Sequence, residues 1–167
     1  MAIKKTQRGF ALLIALIFMS VMLMFGLALG SLGYKQEVLA SGALGSQYAF
    51  YVADGALECA LYADQQQGAF AYDPTASVGG PAPSFSCDGA GPYEPATVTS
   101  HTATRWVLSY RFSLDAGRHC ADIMISRADS VVGGMTYVFA QGYDVSCSTV
   151  ANPGNARFAS RGMSTRY

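Results

Sequence analysis

An uncharged segment of 23 residues, from Phe10 to Leu32, most limits what this chain can fold into. A helix rises about 1.5 Å per residue, so about 20 apolar residues cross the roughly 30 Å of hydrocarbon in a bilayer. Lys4, Lys5 and Arg8 precede the segment without an acidic residue, a bias that keeps the N-terminal side in the cytoplasm. The sequence therefore predicts a single-pass membrane segment, with the rest of the chain on the far side.

A cleaved secretory signal peptide is the main alternative for this segment. Such a peptide also has a basic start and an apolar middle, and Ala28-Leu29-Gly30 offers a small-x-small cleavage site. However, the apolar run exceeds the ~7–15 residues that are usual for a signal peptide. A helical pattern also continues beyond it, and cleavage at Gly30 would divide that helix.

One long helix is predicted to run from the membrane segment to about Tyr62. Residues on one of its faces recur at steps of three or four, the spacing of an α-helix. They are Tyr34, Val38, Ser41, Gly45, Tyr48, Val52, Gly55, Cys59 and Tyr62. No proline occurs before Pro74, so the sequence contains no strong helix breaker in this region.

The N-terminal region resembles the class III signal of type IV prepilins and pseudopilins. The resemblance rests on Lys4-Lys5-Thr6-Gln7-Arg8-Gly9-Phe10 directly before the apolar helix, and the stretch from Ala49 to Tyr62 is similar to the end of the pilin helix. The resemblance implies that a prepilin peptidase cuts between Gly9 and Phe10 and N-methylates Phe10. The apolar helix then stays on the mature protein, first as a membrane anchor and later in the core of a filament.

One position departs from the family pattern. Most pilins carry a glutamate at the fifth mature position, where it neutralises the N-terminal amine of a neighbouring subunit, whereas this chain has Ile14. Certain minor subunits, notably the tip pseudopilin, also lack this glutamate, so the resemblance favours a minor or tip subunit. The equal alternative is a lineage that dispenses with the glutamate altogether.

Two glycines in the membrane segment are further candidate assembly contacts, together with Ile14. Gly26 and Gly30 form a Gly-x-x-x-Gly pair, which permits close approach of helices in a membrane. They could equally mark a weak point where the helix stretches in a filament.

The chain after the helix predicts a loop followed by an antiparallel sheet. Five of the six prolines fall between Asp73 and Ser100, which indicates a loop. Polar and apolar residues then alternate from Arg105 to Leu114, the pattern of a strand with one buried face. Further strands are predicted from about Cys120, over Met135–Tyr143 and over Ala156–Arg166.

These elements define the predicted organisation. The segments are a leader (1–9), a membrane and filament-core helix (10–32), its continuation (33–64), a Pro/Gly-rich loop (65–104) and an antiparallel sheet of three to four strands (105–167). The fold class is α+β, with the long N-terminal helix packed on the C-terminal sheet.

Four cysteines are predicted to form two disulfides. They are Cys59, Cys87, Cys120 and Cys147. Their number is even and the predicted topology puts them in an oxidising compartment, where three pairings are possible. If Gly133 and Gly134 form a two-residue hairpin turn, Cys120 and Cys147 lie directly opposite each other, although one bulge would shift this register. The pattern favours Cys120–Cys147 and, by elimination, Cys59–Cys87.

Composition and motifs argue against catalysis and nucleic-acid binding. Without residues 1–9 the chain keeps 8 basic and 11 acidic side chains, and Lys35 is its only lysine. No basic cluster therefore exists to follow phosphates. No Gly-x-Ser-x-Gly, Gly-x-x-x-x-Gly-Lys or His-Glu-x-x-His motif occurs. We predict no catalytic residue, no cofactor and no metal site.

A few titratable residues still call for an interpretation. His101 and His119 flank a predicted strand and are expected as solvated turn histidines, since no metal-ligand spacing surrounds them. Asp54 and Glu58 lie four residues apart and thus on one helix face. They could act as paired carboxylates, but we expect them on a polar edge, where they meet arginines of the sheet or of a neighbouring subunit.

The predicted function is that of a structural subunit of a type IV pilus or pseudopilus-like filament. The resemblance implies other pilin-like subunits, the prepilin peptidase, the inner-membrane assembly platform and, before assembly, membrane lipid as partners. The chain is expected first in the inner membrane, with its N-terminus inside, and then in an extracellular filament. The alternative is a membrane-anchored adhesin or binding module that does not polymerise, with the loop 73–100 ordered and exposed.

Overall fold

The computed structural model describes residues 7–167, with side chains from Phe10 onward. Lys4, Lys5 and the other leader residues before Gln7 therefore lie outside the described part. The elements in chain order are α1 Gln7–Gln67, β1 Thr97–Thr102, β2 Arg105–Leu114, β3 His119–Ala128, β4 Tyr137–Tyr143, α2 Cys147–Ala151 and β5 Ser160–Arg166.

The chain divides into two compact units, Met1–Gly42 and Ala43–Tyr167. In the first unit, every residue of α1 from Phe10 onward is exposed. The helix is long and apolar enough, by length and composition, to cross a membrane. Charged side chains are absent from Phe10 to Leu32, so water would solvate this surface poorly.

α1 continues well beyond the apolar run, as the helical spacing predicted, and ends at Gln67 rather than near Tyr62. Gly68 terminates it with a φ of +61°, a left-handed conformation that favours glycine. The Gly68 N–H donates to the Asp64 carbonyl at 3.1 Å, and the Ala69 N–H donates to the Ala63 carbonyl at 3.0 Å. These bonds satisfy carbonyl groups that the helix end would otherwise leave free.

The second unit contains one five-stranded antiparallel sheet in the order β1-β2-β3-β4-β5. The structure therefore confirms the α+β class, with one strand more than the three to four predicted. The additional strand is β1, within the segment 65–104 that the sequence assigned to loop. Its residues are almost all polar and only Val98 is fully buried, so alternation gave little sign of it.

The core lies between the last third of α1 and one face of the sheet, which we call the inner face. Trp106, Leu108, Tyr110 and Phe112 of β2 alternate onto this face and are buried. The buried helix residues are mainly small: Ala49, Ala53, Ala56, Leu57, Ala60 and Ala63. The larger residues Tyr48 and Tyr62, which helped to define the predicted helix face, are 56% and 61% exposed.

One contact explains why the buried helix face is made of alanine. A Cβ added to Gly142 of β4 would overlap the Ala49 carbonyl oxygen and the Ala53 amide nitrogen of α1. The helix backbone therefore rests almost directly on the β4 backbone. Small residues on both sides permit this short distance. A tyrosine or valine in place of Ala49 or Ala53 would prevent it.

The hairpin between β3 and β4 differs from the predicted two-residue turn. Ser126 pairs with Tyr137, and eight residues from Asp129 to Thr136 connect the two strands. Gly133 and Gly134 lie within this connection at positive φ. Cys120 consequently faces Tyr143 across the ladder, not Cys147. The predicted fourth strand is also shorter, because β5 begins at Ser160 rather than Ala156.

Candidate functional site

The apolar surface of α1 holds most of the residues that the sequence singled out for assembly. Phe10 and Ile14 are 69% and 47% exposed. The junction between Gly9 and Phe10 lies inside the helix, which begins at Gln7. A Cβ added to Gly26 or Gly30 would meet no atom within 4 Å, so a neighbouring helix could approach both glycines.

The polar groups within this surface are satisfied inside the helix. The Ser20 hydroxyl donates to the Ile17 carbonyl at 2.8 Å, and the Ser31 hydroxyl donates to the Ala28 carbonyl at 2.8 Å. An unpaired hydroxyl in hydrocarbon costs several kcal/mol, roughly 4–8 in a solvent that cannot form hydrogen bonds. The segment can therefore enter a bilayer or a helix bundle without an unpaired serine hydroxyl.

The first disulfide joins Cys59 of α1 to Cys87 of the proline-rich loop, with a Cα–Cα distance of 5.9 Å. The loop is also bonded to the sheet, because Gly79 N–H donates to the Val98 carbonyl at 2.8 Å. Phe70 and Phe85 of the same loop are buried against Tyr110. The loop is thus an ordered part of the core and not a free appendage.

The second disulfide joins Cys120 to Cys147, with a Cα–Cα distance of 4.7 Å. Both pairs match the sequence prediction, but the reason given for this one was wrong. Cys147 is the first residue of α2, beyond the end of β4, and not a cross-strand partner. Both cysteines are nearly inaccessible to solvent, since α2 contacts β2 and β3 at this position.

A buried polar cluster, which we call the Asp64 cluster, links three elements at the end of α1. Arg127 of β3 and the Tyr167 hydroxyl both donate to Asp64 Oδ2. The Asp64 side chain has no solvent exposure. Burial, followed by the hydrogen bond to Asp64, raises the pKa of Tyr167 above its ordinary value. The cluster ties the helix to both β3 and the residue that follows β5.

This cluster was not predicted from the sequence, which instead pointed to Asp54 and Glu58 as the acids that meet arginines of the sheet or of a neighbouring subunit. Among the side chains described, no ion pair includes either residue, and Glu58 is exposed. The spacing of the small residues could have identified the correct acid. Asp64 lies four residues after Ala60 and next to Ala63, so it falls on the same helix face as the alanines that pack on the sheet. Contacts of Asp54 and Glu58 with a neighbouring subunit stay a prediction.

A groove beside the first disulfide has a volume of about 350 Å³. Its walls include Tyr48, Tyr51, Leu114 and His119. The His119 ring stacks on Tyr48 with a centroid distance of 5.6 Å, and its side chain is only 16% exposed. His119 is therefore a strand residue packed against α1, and its prediction as a solvated turn histidine is wrong. His101 similarly stacks on Tyr72 and lies in β1.

The outer face of the sheet, opposite the core, carries a second charged cluster. Arg111 Nε donates to Asp122 Oδ1 at 2.6 Å, and the Tyr143 hydroxyl donates to Asp122 Oδ2 at 3.1 Å. Burial and the adjacent Asp122 carboxylate raise the pKa of Tyr143. The hydrogen bond to Asp122 raises the pKa of Arg111. The cluster holds β2, β3 and β4 together on a face that has few buried apolar residues.

None of these clusters has the composition of a metal site. In the described part of the chain, no group of three histidine, cysteine, aspartate or glutamate residues could hold a metal ion. All four cysteines are consumed by the disulfides. The acids of the two clusters are already bonded to arginine and tyrosine, an arrangement that fits a structural role.

Comparison with known proteins identifies no relative. No family model, no curated protein and no solved structure matches the chain.

Proposed function

We propose that this chain is a structural subunit of a type IV pilus or pseudopilus-like filament. The observation that carries the proposal is the exposed, charge-free surface of α1 from Phe10 to Leu32, directly after Arg8-Gly9. Such a surface requires lipid or other apolar helices around it. The disulfide-tied second unit supports the same proposal, since it suits an oxidising compartment.

The proposed mechanism is assembly. The apolar segment anchors the precursor in the inner membrane, with its basic side in the cytoplasm. Prepilin peptidase cuts between Gly9 and Phe10 and N-methylates Phe10, and an inner-membrane platform then moves the subunit into a filament. Burial of α1 among the helices of other pilin-like subunits replaces the lipid around residues such as Phe10, Ile14 and Leu32. The subunit has no catalytic role and requires no cofactor or metal in this scheme.

Ile14 supports a minor or tip position in the filament. A buried carboxylate is costly unless an opposite charge meets it. A subunit with no neighbour above it has no N-terminal amine to meet such a carboxylate, so an isoleucine is favourable there. A main-shaft subunit that dispenses with the glutamate is the alternative.

A membrane-anchored adhesin that does not polymerise is the second candidate. The ordered loop between α1 and β1 favours it, because its side chains Val78 and Tyr93 are 63% and 46% exposed while its backbone is held by β1. An adhesin would retain the apolar helix in lipid permanently and would not enter sheared filaments.

Intact mass of the membrane-extracted protein tests the proposal. We expect the mass of residues 10–167 with one added methyl group and two disulfides when prepilin peptidase is coexpressed. Gly9→Leu should leave the precursor uncut, whereas Gly30→Leu is the matched control, because it alters the small-x-small site and leaves Gly9 intact. An N-terminus at Ser31 would contradict processing as a prepilin and restore the secretory alternative.

A further inference from the structure

β5 is an edge strand with an uncovered hydrogen-bonding side. Thr136 and Tyr167 exchange two backbone hydrogen bonds, of 2.8 and 3.1 Å. Bonded and non-bonded pairs alternate along an antiparallel ladder, so Thr165, Met163 and Arg161 bond to β4. The intervening residues therefore direct their N–H and C=O groups away from the sheet. We call them the free edge: Ser160, Gly162, Ser164 and Arg166.

The opposite edge of the same sheet, formed by β1, is covered by other backbone. The loop before β1 covers it, because the Val98 N–H donates to the Gly80 carbonyl at 3.0 Å and the Ala82 N–H donates to the Ala96 carbonyl at 2.9 Å. In the described residues, β5 pairs with β4 alone. The chain thus protects one edge with its own backbone and leaves the other available.

The free edge is sterically open. Gly162 and Ser164 are exposed, and neither has a side chain that could block an incoming strand. Next to the edge, the Phe139 ring lies 3.0 Å from the position that a Cβ on Gly162 would occupy. Phe139 therefore offers an apolar surface to alternate side chains of a strand that pairs with β5.

The charges of β5 favour an acidic strand over a second copy of β5 as the partner of the free edge. Arg161 and Arg166 lie within β5, Arg157 precedes it, and the segment 157–167 has no acidic residue. Among the described side chains, none of the three is paired with a carboxylate, although Arg161 Nε donates to Ser46 Oγ at 2.8 Å. A second copy of β5 would add its own arginines, and like charges on paired strands are destabilising.

We propose that the free edge of β5 binds an extended, acid-bearing segment of another protein by strand addition. The outward N–H and C=O groups supply the affinity. Carboxylates on alternate residues of the segment share one face and meet Arg166, which lies on the outer face of the sheet, whereas Arg161 lies on the inner face. This interaction does not depend on filament assembly. It would serve a membrane-anchored binding module equally well.

A designed peptide tests the proposal with the full-length chain in detergent micelles. The probe is a capped peptide that alternates threonine with glutamate, and the readout is amide hydrogen exchange along β5. We expect the peptide to slow exchange at Gly162 and Ser164, because their amides become hydrogen-bonded. The same peptide with every second amide N-methylated on its pairing side should have no effect, since it cannot complete the ladder.

Two substitutions separate the contributions of backbone and charge. Ser164→Pro removes an outward donor that β4 does not use and should abolish binding. Arg166→Glu should weaken binding by at least about fivefold, the change expected when a favourable surface ion pair becomes repulsive. Arg118→Glu is the matched control, because it makes the same change of charge at an exposed turn residue.

Three results would overturn the proposal. One is unchanged exchange along β5 at millimolar peptide concentration. Another is equal binding of a peptide with lysine in place of glutamate. The third is dimerisation of the unliganded chain through β5, which would identify a second copy as the occupant.

Discussion

Asp64 and Arg127 form an ion pair between the end of α1 and β3, and the Asp64 side chain is completely shielded from solvent. Only Oδ2 is bonded, to both Arg127 and Tyr167, whereas Oδ1 has no partner among the described residues. Burial of a charge in this way is costly unless its partners remain in place. The stability of the second unit should therefore be sensitive to each of the three residues.

Arg127→Met is expected to destabilise the protein by about 3–5 kcal/mol, because it leaves the Asp64 carboxylate buried without a counter-charge. Urea unfolding of the full chain in a mild detergent, followed by near-UV circular dichroism, measures this loss. Arg118→Met is the control, since Arg118 is 76% exposed and should change the free energy of unfolding by less than about 0.5 kcal/mol. Equal effects of the two substitutions would contradict the structural role of the Asp64 cluster.

Tyr167→Phe should alter how stability depends on alkaline pH. The folded state raises the pKa of Tyr167 above the ordinary value of 10.0, chiefly through burial. Its contribution to stability is therefore complete below pH 10.0 and is lost as the pH rises toward the folded pKa. Tyr167→Phe should make this alkaline loss shallower, although Tyr110 and Tyr143, whose pKa values are also raised, retain part of it.

The phenylalanine substitution also has an effect near neutral pH. It removes the hydrogen bond to Asp64 and should cost about 1 kcal/mol. Tyr51→Phe, at an exposed ring, is the control. If the stability of Tyr167→Phe fell with alkaline pH as steeply as that of the unsubstituted protein, the raised pKa of Tyr167 would not be the cause of the alkaline loss.

Gly142→Ala and Gly55→Ala should have opposite effects on stability. The first adds a methyl group where α1 touches β4 and should cost about 1–3 kcal/mol, because the helix must move away from the sheet. The second lies on an open helix surface and should stabilise by about 0.5–1 kcal/mol, since alanine favours the helix over glycine. Thermal unfolding of the two variants in parallel tests the close contact, which would be disproved if Gly142→Ala were neutral.

The two disulfides should differ in their resistance to reduction. Cys120 and Cys147 are almost completely buried, whereas Cys59 is partly exposed. We expect mild dithiothreitol to open Cys59–Cys87 first, as measured by alkylation and peptide mapping. Each bond is worth about 3–4 kcal/mol in the chain-entropy model, and serine replacement should cost more at Cys120 and Cys147 because the hydroxyls would be buried. Simultaneous reduction of both bonds would argue against this order.

If the chain is the filament subunit proposed above, Ile14 predicts a low copy number in the filament. Quantitative mass spectrometry of sheared filaments should find this chain well below the most abundant subunit. Ile14→Glu should reduce its incorporation further, because a tip subunit has no neighbour above it whose N-terminal amine could meet the new carboxylate. Leu13→Glu introduces the same charge at the neighbouring position and controls for a general effect on membrane insertion. A dominant share of the filament mass would refute the tip assignment but not the filament proposal.

The sequence was most informative where a periodic pattern extended over many residues. The charge-free run and the helical spacing predicted α1, and alternation from Trp106 to Leu114 predicted β2 with its inner face. Each pattern reports the burial of many side chains at once, so no single exception conceals it.

Features that depend on one close contact were not predictable in this way. The alanine face of α1 follows from the approach of Gly142, and neither has a large apolar side chain to mark it. The β3–β4 connection is centred between Val131 and Val132 rather than on its Gly-Gly pair, so Cys120 pairs with Tyr143 and not with Cys147. The Asp64 cluster brings together residues separated by 63 and 103 positions, a distance at which local sequence has no influence.

If the second unit is exported, as the proposed function requires, the order of the cysteines along the chain has a consequence for disulfide formation. Cys59 and Cys87 both precede Cys120 and Cys147 in the sequence. The two covalent loops therefore follow one another along the chain, and neither encloses the other. In a chain that emerges into an oxidising space from its N-terminal side, the first two thiols appear together while the last two are still inside. Oxidation of nearest neighbours then gives the native pairs directly, and the chain has little need of an isomerase to correct them.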